Sequence, residues 1–172
     1  DHVLLCEGYM DVISLYQAGF TNAVAALGTA FTPEHANILK RYVKRVVLCM
    51  DSDSAGINAS KRTIGILREA DIAVQVLNMK PYKDPDEFIK NKSKEEFENR
   101  IKNAKNAFMW EIELLKDNFK LEDPQQKTEF YKETAKKLSE FVSGLERDNY
   151  IQAVCKEHMI NYEEMKALVL SI

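Results

Sequence analysis

Val46-Val47-Leu48-Cys49-Met50-Asp51-Ser52-Asp53-Ser54-Ala55-Gly56 is the stretch that decides the fold. An apolar run of strand length ends in a D-x-D and passes straight into a helical pattern, Ala55–Glu69. Along that pattern Ala59, Thr63, Ile66, Leu67 and Ala70 share one face. A strand handing its chain to a helix through a short polar turn is half of a βαβ unit. The same alternation continues on either side. Val3–Cys6, Ala23–Leu27 and Ala73–Leu77 are further short apolar runs, and helical spacing covers Met10–Ala18 and Pro33–Tyr42, with Val12, Leu15 and Tyr16 on one face of the first. Thr32-Pro33 supplies an N-cap and an N1 proline, and Gly19 a helix stop. Right-handed βαβ units predict an α/β fold with a four-stranded, mainly parallel sheet. Its predicted strand order is 2-1-3-4.

The strand signal ends near residue 93. Ser93-Lys94-Glu95-Glu96, Asp123-Pro124-Gln125-Gln126 and Asn161-Tyr162-Glu163-Glu164 read as helix starts. Phe108, Ile112, Leu115 and Phe119 recur at helical spacing, as do Tyr131, Ala135, Leu138 and Val142. The chain therefore divides into an α/β domain over 1–104 and an α-helical bundle subdomain over 105–172, with Trp110 and the neighbouring aromatics at core spacing. The 172 residues are 45% hydrophobic and 30% charged with a net charge of −3, which excludes a disordered tail and gives no overall basic surface. The apolar runs are too short to span a membrane, and no signal peptide opens the chain. Cys6, Cys49 and Cys155, with His2, His35 and His158, are too scattered for a zinc, haem or disulfide pattern, so a reducing, cytoplasmic compartment fits best. The chain starts at Asp1 and enters a strand at once, as an excised piece of a longer protein would.

Three acidic clusters share one structural address. Glu7-Gly8-Tyr9-Met10-Asp11 follows the first strand, Asp51-Ser52-Asp53 the third, and Asp84-Pro85-Asp86-Glu87 the fourth after a short connection. In an open parallel sheet all strands end on the edge where ligands bind. Glu7, Asp11, Asp51, Asp53, Asp84 and Asp86 are thus expected around one small space. Like charges about 4 Å apart repel by about 4 kcal/mol per pair at an effective dielectric near 20, so protons or cations must offset them. Hard oxygen donors without His or Cys suit Mg²⁺ or Mn²⁺. Taken singly, Asp84 and Asp53 are also ordinary helix caps, and Glu7 with Asp11 an ordinary exposed pair. Their convergence on one edge favours a metal site. Gly28 and Thr29, in Ala26-Leu27-Gly28-Thr29-Ala30, allow backbone approach to a ligand, although a plain β–α turn uses the same residues. Lys80 and Lys83 precede the third cluster and are candidate phosphate contacts. Lys40-Arg41, Lys44-Arg45 and Lys61-Arg62 read as solvated surface.

These motifs, Glu7-Gly8-Tyr9-Met10-Asp11-Val12, Ala26–Ala30, Asp51–Gly56 and Lys83–Glu87, resemble the Toprim domain of DnaG-type bacterial primases. The resemblance covers residues 1 to about 104, and the helical remainder looks like the subdomain that closes the primase polymerase core. It implies a Rossmann-like Toprim sheet in a fragment of a DNA-directed RNA polymerase that lays short RNA primers on single-stranded DNA for replication. It further implies two or more Mg²⁺ or Mn²⁺ ions. Glu7 would be acid/base or outermost ligand, Asp51 and Asp53 the principal ligands, and Asp11, Asp84 and Asp86 would complete the pocket. NTPs and primer would be partners. Zinc would belong to an amino-terminal domain and the replicative helicase to a carboxy-terminal one, both outside this chain. The isolated fragment is expected not to make primers unaided. Ser52 and Ser54 stand where the family often has Gly and variable or basic residues. Two rivals keep the same acids: a Toprim nuclease or topoisomerase fragment, which strand cleavage would reveal, and a non-catalytic receiver-like module, which a phosphodonor would reveal by modifying Asp51.

Overall fold

The computed structural model describes residues 2–26 and 30–172. Its sheet runs β2-β1-β3-β4-β5, where β1 is His2–Cys6, β2 Ala23–Ala25, β3 Arg45–Cys49, β4 Ala73–Val76 and β5 Lys105–Asn106. The first four strands are parallel, in the order expected, with Cys6 level with Cys49 and Leu48 level with Val76. The fifth strand corrects the four-strand expectation. It pairs antiparallel to β4 through Gln75 with Asn106 and Val76 with Lys105. Two polar residues offer no alternation to read, so the pairing exists only once β4 presents a free edge.

Helices α1 (Tyr9–Gln17), α2 (Pro33–Leu39), α3 (Ser54–Glu69), α4 (Pro85–Asn91) and α5 (Lys94–Lys102) complete this part. Strand residues alternate faces, so Leu4, Cys6, Val47 and Cys49 point one way, into a core with Leu15 of α1, Phe88 of α4 and Phe97 of α5. Edge-to-face aromatic pairs run through it, Phe20 on Phe97 at 5.0 Å and Phe88 on Phe97 at 5.3 Å. The chain turns out of α1 through Gly19 at φ +95°, a left-handed conformation that glycine adopts without a Cβ clash. There the Phe20 N–H donates to the Leu15 carbonyl and the Gly19 N–H to that of Tyr16, closing the helix end before β2. Helix α2 stops at Leu39, three residues before its apolar spacing runs out.

Residues 1–107 form one compact unit and residues 108–172 a second. The division falls after β5 rather than before it, as the 104/105 boundary had it. The second unit holds α6 (Ala107–Lys116, its first residue in the first unit), α7 (Pro124–Ser139), α8 (Gly144–His158) and α9 (Tyr162–Leu170). Ile112, Phe130, Leu138, Ile151, Val154 and Met165 make its core. Val142 is fully exposed, because α7 has already ended and the helical spacing no longer applies. Trp110 is only half-buried. Among the described residues, no helix is long and apolar enough to cross a membrane.

Candidate acidic site

Each acidic loop is built by local hydrogen bonding before it is part of any site. Asp53 caps α3, its Oδ1 accepting from the Gly56 N–H at 2.8 Å, and Asp84 caps α4, its Oδ1 accepting from the Glu87 N–H at 2.7 Å. The Glu87 carboxylate answers by accepting from the Lys83 N–H at 2.6 Å. Gly56 has a stricter reason to be glycine: a Cβ there would stand 2.1 Å from the Asp51 carbonyl oxygen. The first turn of α3 therefore lies directly on the backbone that carries Asp51.

Three long-range contacts then bring the loops together. The Asp51 N–H donates to Glu7 Oε1 at 3.2 Å, joining the ends of β3 and β1. Ser52 joins the D-x-D loop to the segment before α4, donating its N–H to the Lys83 carbonyl oxygen at 2.8 Å and its hydroxyl to the Tyr82 carbonyl oxygen at 2.9 Å. Asp11, only 7% exposed, accepts from the Gly8 N–H and from the Asp86 N–H, both at 3.3 Å, so it spans the first and third clusters. Ser52 carried no site role in the sequence, since a serine between two acids reads as a spacer. Its function as a clasp depends on a partner 30 residues away.

Electrostatics separate the six acids into two kinds. The pKa of Glu7 is raised by burial and by the carboxylates of Asp51, Asp53 and Asp11, against a lowering from the Asp51 N–H. That of Asp11 is raised by burial and by Asp84 and Asp51, against the two N–H groups it accepts from. Asp51 is raised by burial and by Asp84 and Asp53, partly offset by the Lys83 ammonium 3.7 Å from its Oδ2. Glu7, Asp11 and Asp51 thus each feel carboxylates of other loops, Asp53 and Asp84 among them. Asp86 differs. Its carboxylate takes Lys90 at 2.6 Å and the Ser14 hydroxyl, and both hold its pKa below the usual range. Two residues on from the Asp84 cap, Asp86 lies on another side of α4 and meets Lys90 one turn along.

Lys80 and Lys83 are both exposed; the Lys83 ammonium lies 3.7 Å from Asp51 Oδ2, and the Lys80 N–H donates to Asn78 Oδ1 at 3.0 Å. Gly28 and Thr29 lie outside the described residues. Beside Glu7 opens a cleft of about 320 Å³, walled by Ala26, Phe31, Met50, Arg62 and Thr63 among others. Arg62 is exposed, in keeping with solvated surface, and also borders this cleft because α3 packs over the sheet.

The donor chemistry fits a hard divalent cation: the acidic side chains of these loops offer oxygen ligands only. Among the described residues, no three His, Cys, Asp or Glu side chains already surround one point. Mg²⁺ does not require that, since it usually keeps several waters and takes one or two carboxylates together with substrate phosphates. Glu7, Asp51, Asp53 and Asp84 each keep one carboxylate oxygen outside the contacts described above.

A family model described as Toprim-like matches residues 4–89. A DNA primase of Clostridium acetobutylicum is 36% identical over 169 residues, covering 98% of this chain and 28% of that protein. The crystal structure of the Aquifex aeolicus primase, zinc-binding and RNA polymerase domains, matches with a TM-score of 0.72 at 30% identity, covering 99% of this chain and 40% of that one. A DnaG primase catalytic domain bound to single-stranded DNA matches with a TM-score of 0.73 at 26% identity, over 95% of this chain and 53% of that one. The chain thus spans little more than a quarter of the length of the curated relative it matches.

Proposed function

Because this chain belongs to the Toprim-like family, in the form carried by DnaG-type DNA primases, we propose that it supplies the metal-binding half of a primase active site. The parent would synthesise RNA primers from NTPs on single-stranded DNA in the bacterial cytoplasm. One observation carries this assignment: hydrogen bonds from Asp51 to Glu7, from Ser52 to Tyr82 and from Asp86 to Asp11 tie three separate acidic loops together at the carboxyl edge of the sheet.

In this reading Asp51 and Asp53 are the principal ligands of Mg²⁺ or Mn²⁺, with Glu7 and Asp84 beside them. When bound, the cations would neutralise triphosphate charge and acidify the attacking 3′-hydroxyl. The chain's own work is positional. Ser52 and Gly56 hold the D-x-D loop in place, and Lys83 offers a positive charge to a phosphate once Asp51 is engaged elsewhere. Glu7 has a raised pKa and one oxygen, Oε2, outside its bond to Asp51, which suits it to receive a proton. Phosphoryl chemistry needs little beyond such positioning and charge neutralisation, so no protein nucleophile is required. Template-binding surface, any zinc module and any helicase contact would lie in parts of the parent outside this chain. The chain alone is expected to bind metal without making primers.

The test is primer synthesis by the parent protein with Mg²⁺ or Mn²⁺. Asp51→Asn and Asp53→Asn are expected to lower it at least 100-fold, the order seen when charge stabilisation of a transition state is removed, with circular dichroism unchanged. Asn retains the cap at position 53, so the fold has no reason to fail. Undiminished synthesis by both variants overturns the assignment.

A further inference from the structure

Both oxygens of the Asp86 carboxylate are engaged, by groups other than the remaining five acids. Its Oδ1 accepts the Ser14 hydroxyl of α1, and its Oδ2 takes the Lys90 ammonium at 2.6 Å. Its backbone N–H meanwhile donates to Asp11 Oδ1 at 3.3 Å, and the other oxygen of Asp11 accepts from the Gly8 N–H at 3.3 Å. A single residue therefore grips α1 twice, through Ser14 by its side chain and through Asp11 by its backbone. Ser14 and Asp11 are three residues apart, neighbours on one helix face. The result is a closed ring of contacts, Asp11 to Asp86 to Ser14 and back along α1, across the join between the first and third acidic clusters.

We propose that Ser14 and Asp86 are positioning residues that lock α1 to α4, and that Asp86 is not a metal ligand. The lock fixes how far Glu7, at the foot of α1, stands from Asp84, at the foot of α4. It also keeps the otherwise repelling loops from drifting apart when no cation is bound. This rests on the metal-binding reading above for its consequence, but the lock itself does not.

The experiment is Mn²⁺ binding to this chain, followed by the electron paramagnetic resonance of free Mn²⁺. Outer-sphere residues that orient ligands typically contribute about tenfold or more to metal affinity. Ser14→Ala and Asp86→Ala are each expected to weaken Mn²⁺ binding about tenfold, and the double variant no further than either alone, because they remove the same contact. Asp86→Asn keeps an acceptor oxygen for Ser14 and is expected to bind Mn²⁺ close to wild type. Asp51→Asn, which removes a ligand charge, is not. Asp86→Asn as damaging as Asp51→Asn would make Asp86 a ligand and overturn the proposal; Ser14→Ala binding like wild type would also overturn it. A double-mutant cycle in Tm on the metal-free chain judges the lock independently. Coupling between positions 14 and 86 supports it even if the wild type binds no Mn²⁺, a result that would instead defeat the functional reading. Additive Tm changes would remove the lock.

Discussion

At the scale of single residues, the acids have two tasks that oppose each other. Asp53 and Asp84 stabilise helix starts as caps, whereas Glu7, Asp11 and Asp51 are held where charge is unwelcome. A carboxylate whose folded pKa exceeds its unfolded value, ordinarily 3.8 for Asp and 4.5 for Glu, binds more protons when folded. Its contribution to stability is therefore present below the unfolded pKa and is lost as pH rises through the folded one. Asp86, with a lowered pKa, acts in the opposite sense and helps only above its folded pKa. The metal-free chain should accordingly lose Tm relative to Asp51→Asn as pH rises above 3.8, the ordinary value for Asp. At pH 7 that variant should have the higher Tm. Calorimetry across this range, with and without Mn²⁺, checks it. Saturating Mn²⁺ should reverse the order at pH 7, and parallel pH curves for the two proteins would contradict the raised pKa of Asp51.

At the scale of elements, the D-x-D loop is set by the way α3 begins. Gly56 sits in the first helical turn with its Cα against the Asp51 backbone, and its N–H is the one that Asp53 accepts. Gly56→Ala would force a Cβ to within 2.1 Å of a carbonyl oxygen, a clash with backbone that no rotamer relieves. Overpacking of this kind costs about 1–3 kcal/mol, and here the strain falls on the site itself. The expected outcome is a lower Tm together with Mn²⁺ binding weakened as much as in Asp51→Asn. Gly65→Ala is the control, since a Cβ there meets nothing within 4 Å. Equal Mn²⁺ binding by the Gly56 and Gly65 variants would show that the loop does not depend on the helix start.

At the scale of the whole molecule, residues 1–107 and 108–172 each bury a core of their own. The first unit ends only after β5, whose pairing with β4 is reinforced by the Gln75 side chain donating to the Ala104 carbonyl at 3.2 Å. A chain of residues 1–107 is therefore expected to fold and to bind Mn²⁺ like the full chain. Cutting at 104 exposes the β4 edge and should lower Tm by several degrees, which thermal denaturation of the two lengths would show. Equal stability would mean that β5 adds nothing. A strand of two polar residues contributes mainly by covering an edge rather than by burying surface.

Much of this architecture was already readable in the residue order. Alternating strand and helix patterns require a doubly wound parallel sheet, and strands followed by acids place those acids on one edge, because parallel strands all end there. The caps at Asp53 and Asp84 were readable too, being contacts between residues three apart. Other features had no local signal. β5 needed a free neighbour, Arg62 reaches its cleft only by the packing of α3, and Val142 left the core once α7 stopped. The separation of Asp86 from the other five acids is of the same kind. In the sequence, Asp84 and Asp86 are equivalent members of one motif. What parts them is the packing of α4 against α1, which gives Asp86 a serine in addition to the lysine one turn along its own helix. Periodicity and local spacing show which elements form and which contacts lie within them, while the partners that a side chain finds on another element are chosen only when distant elements dock.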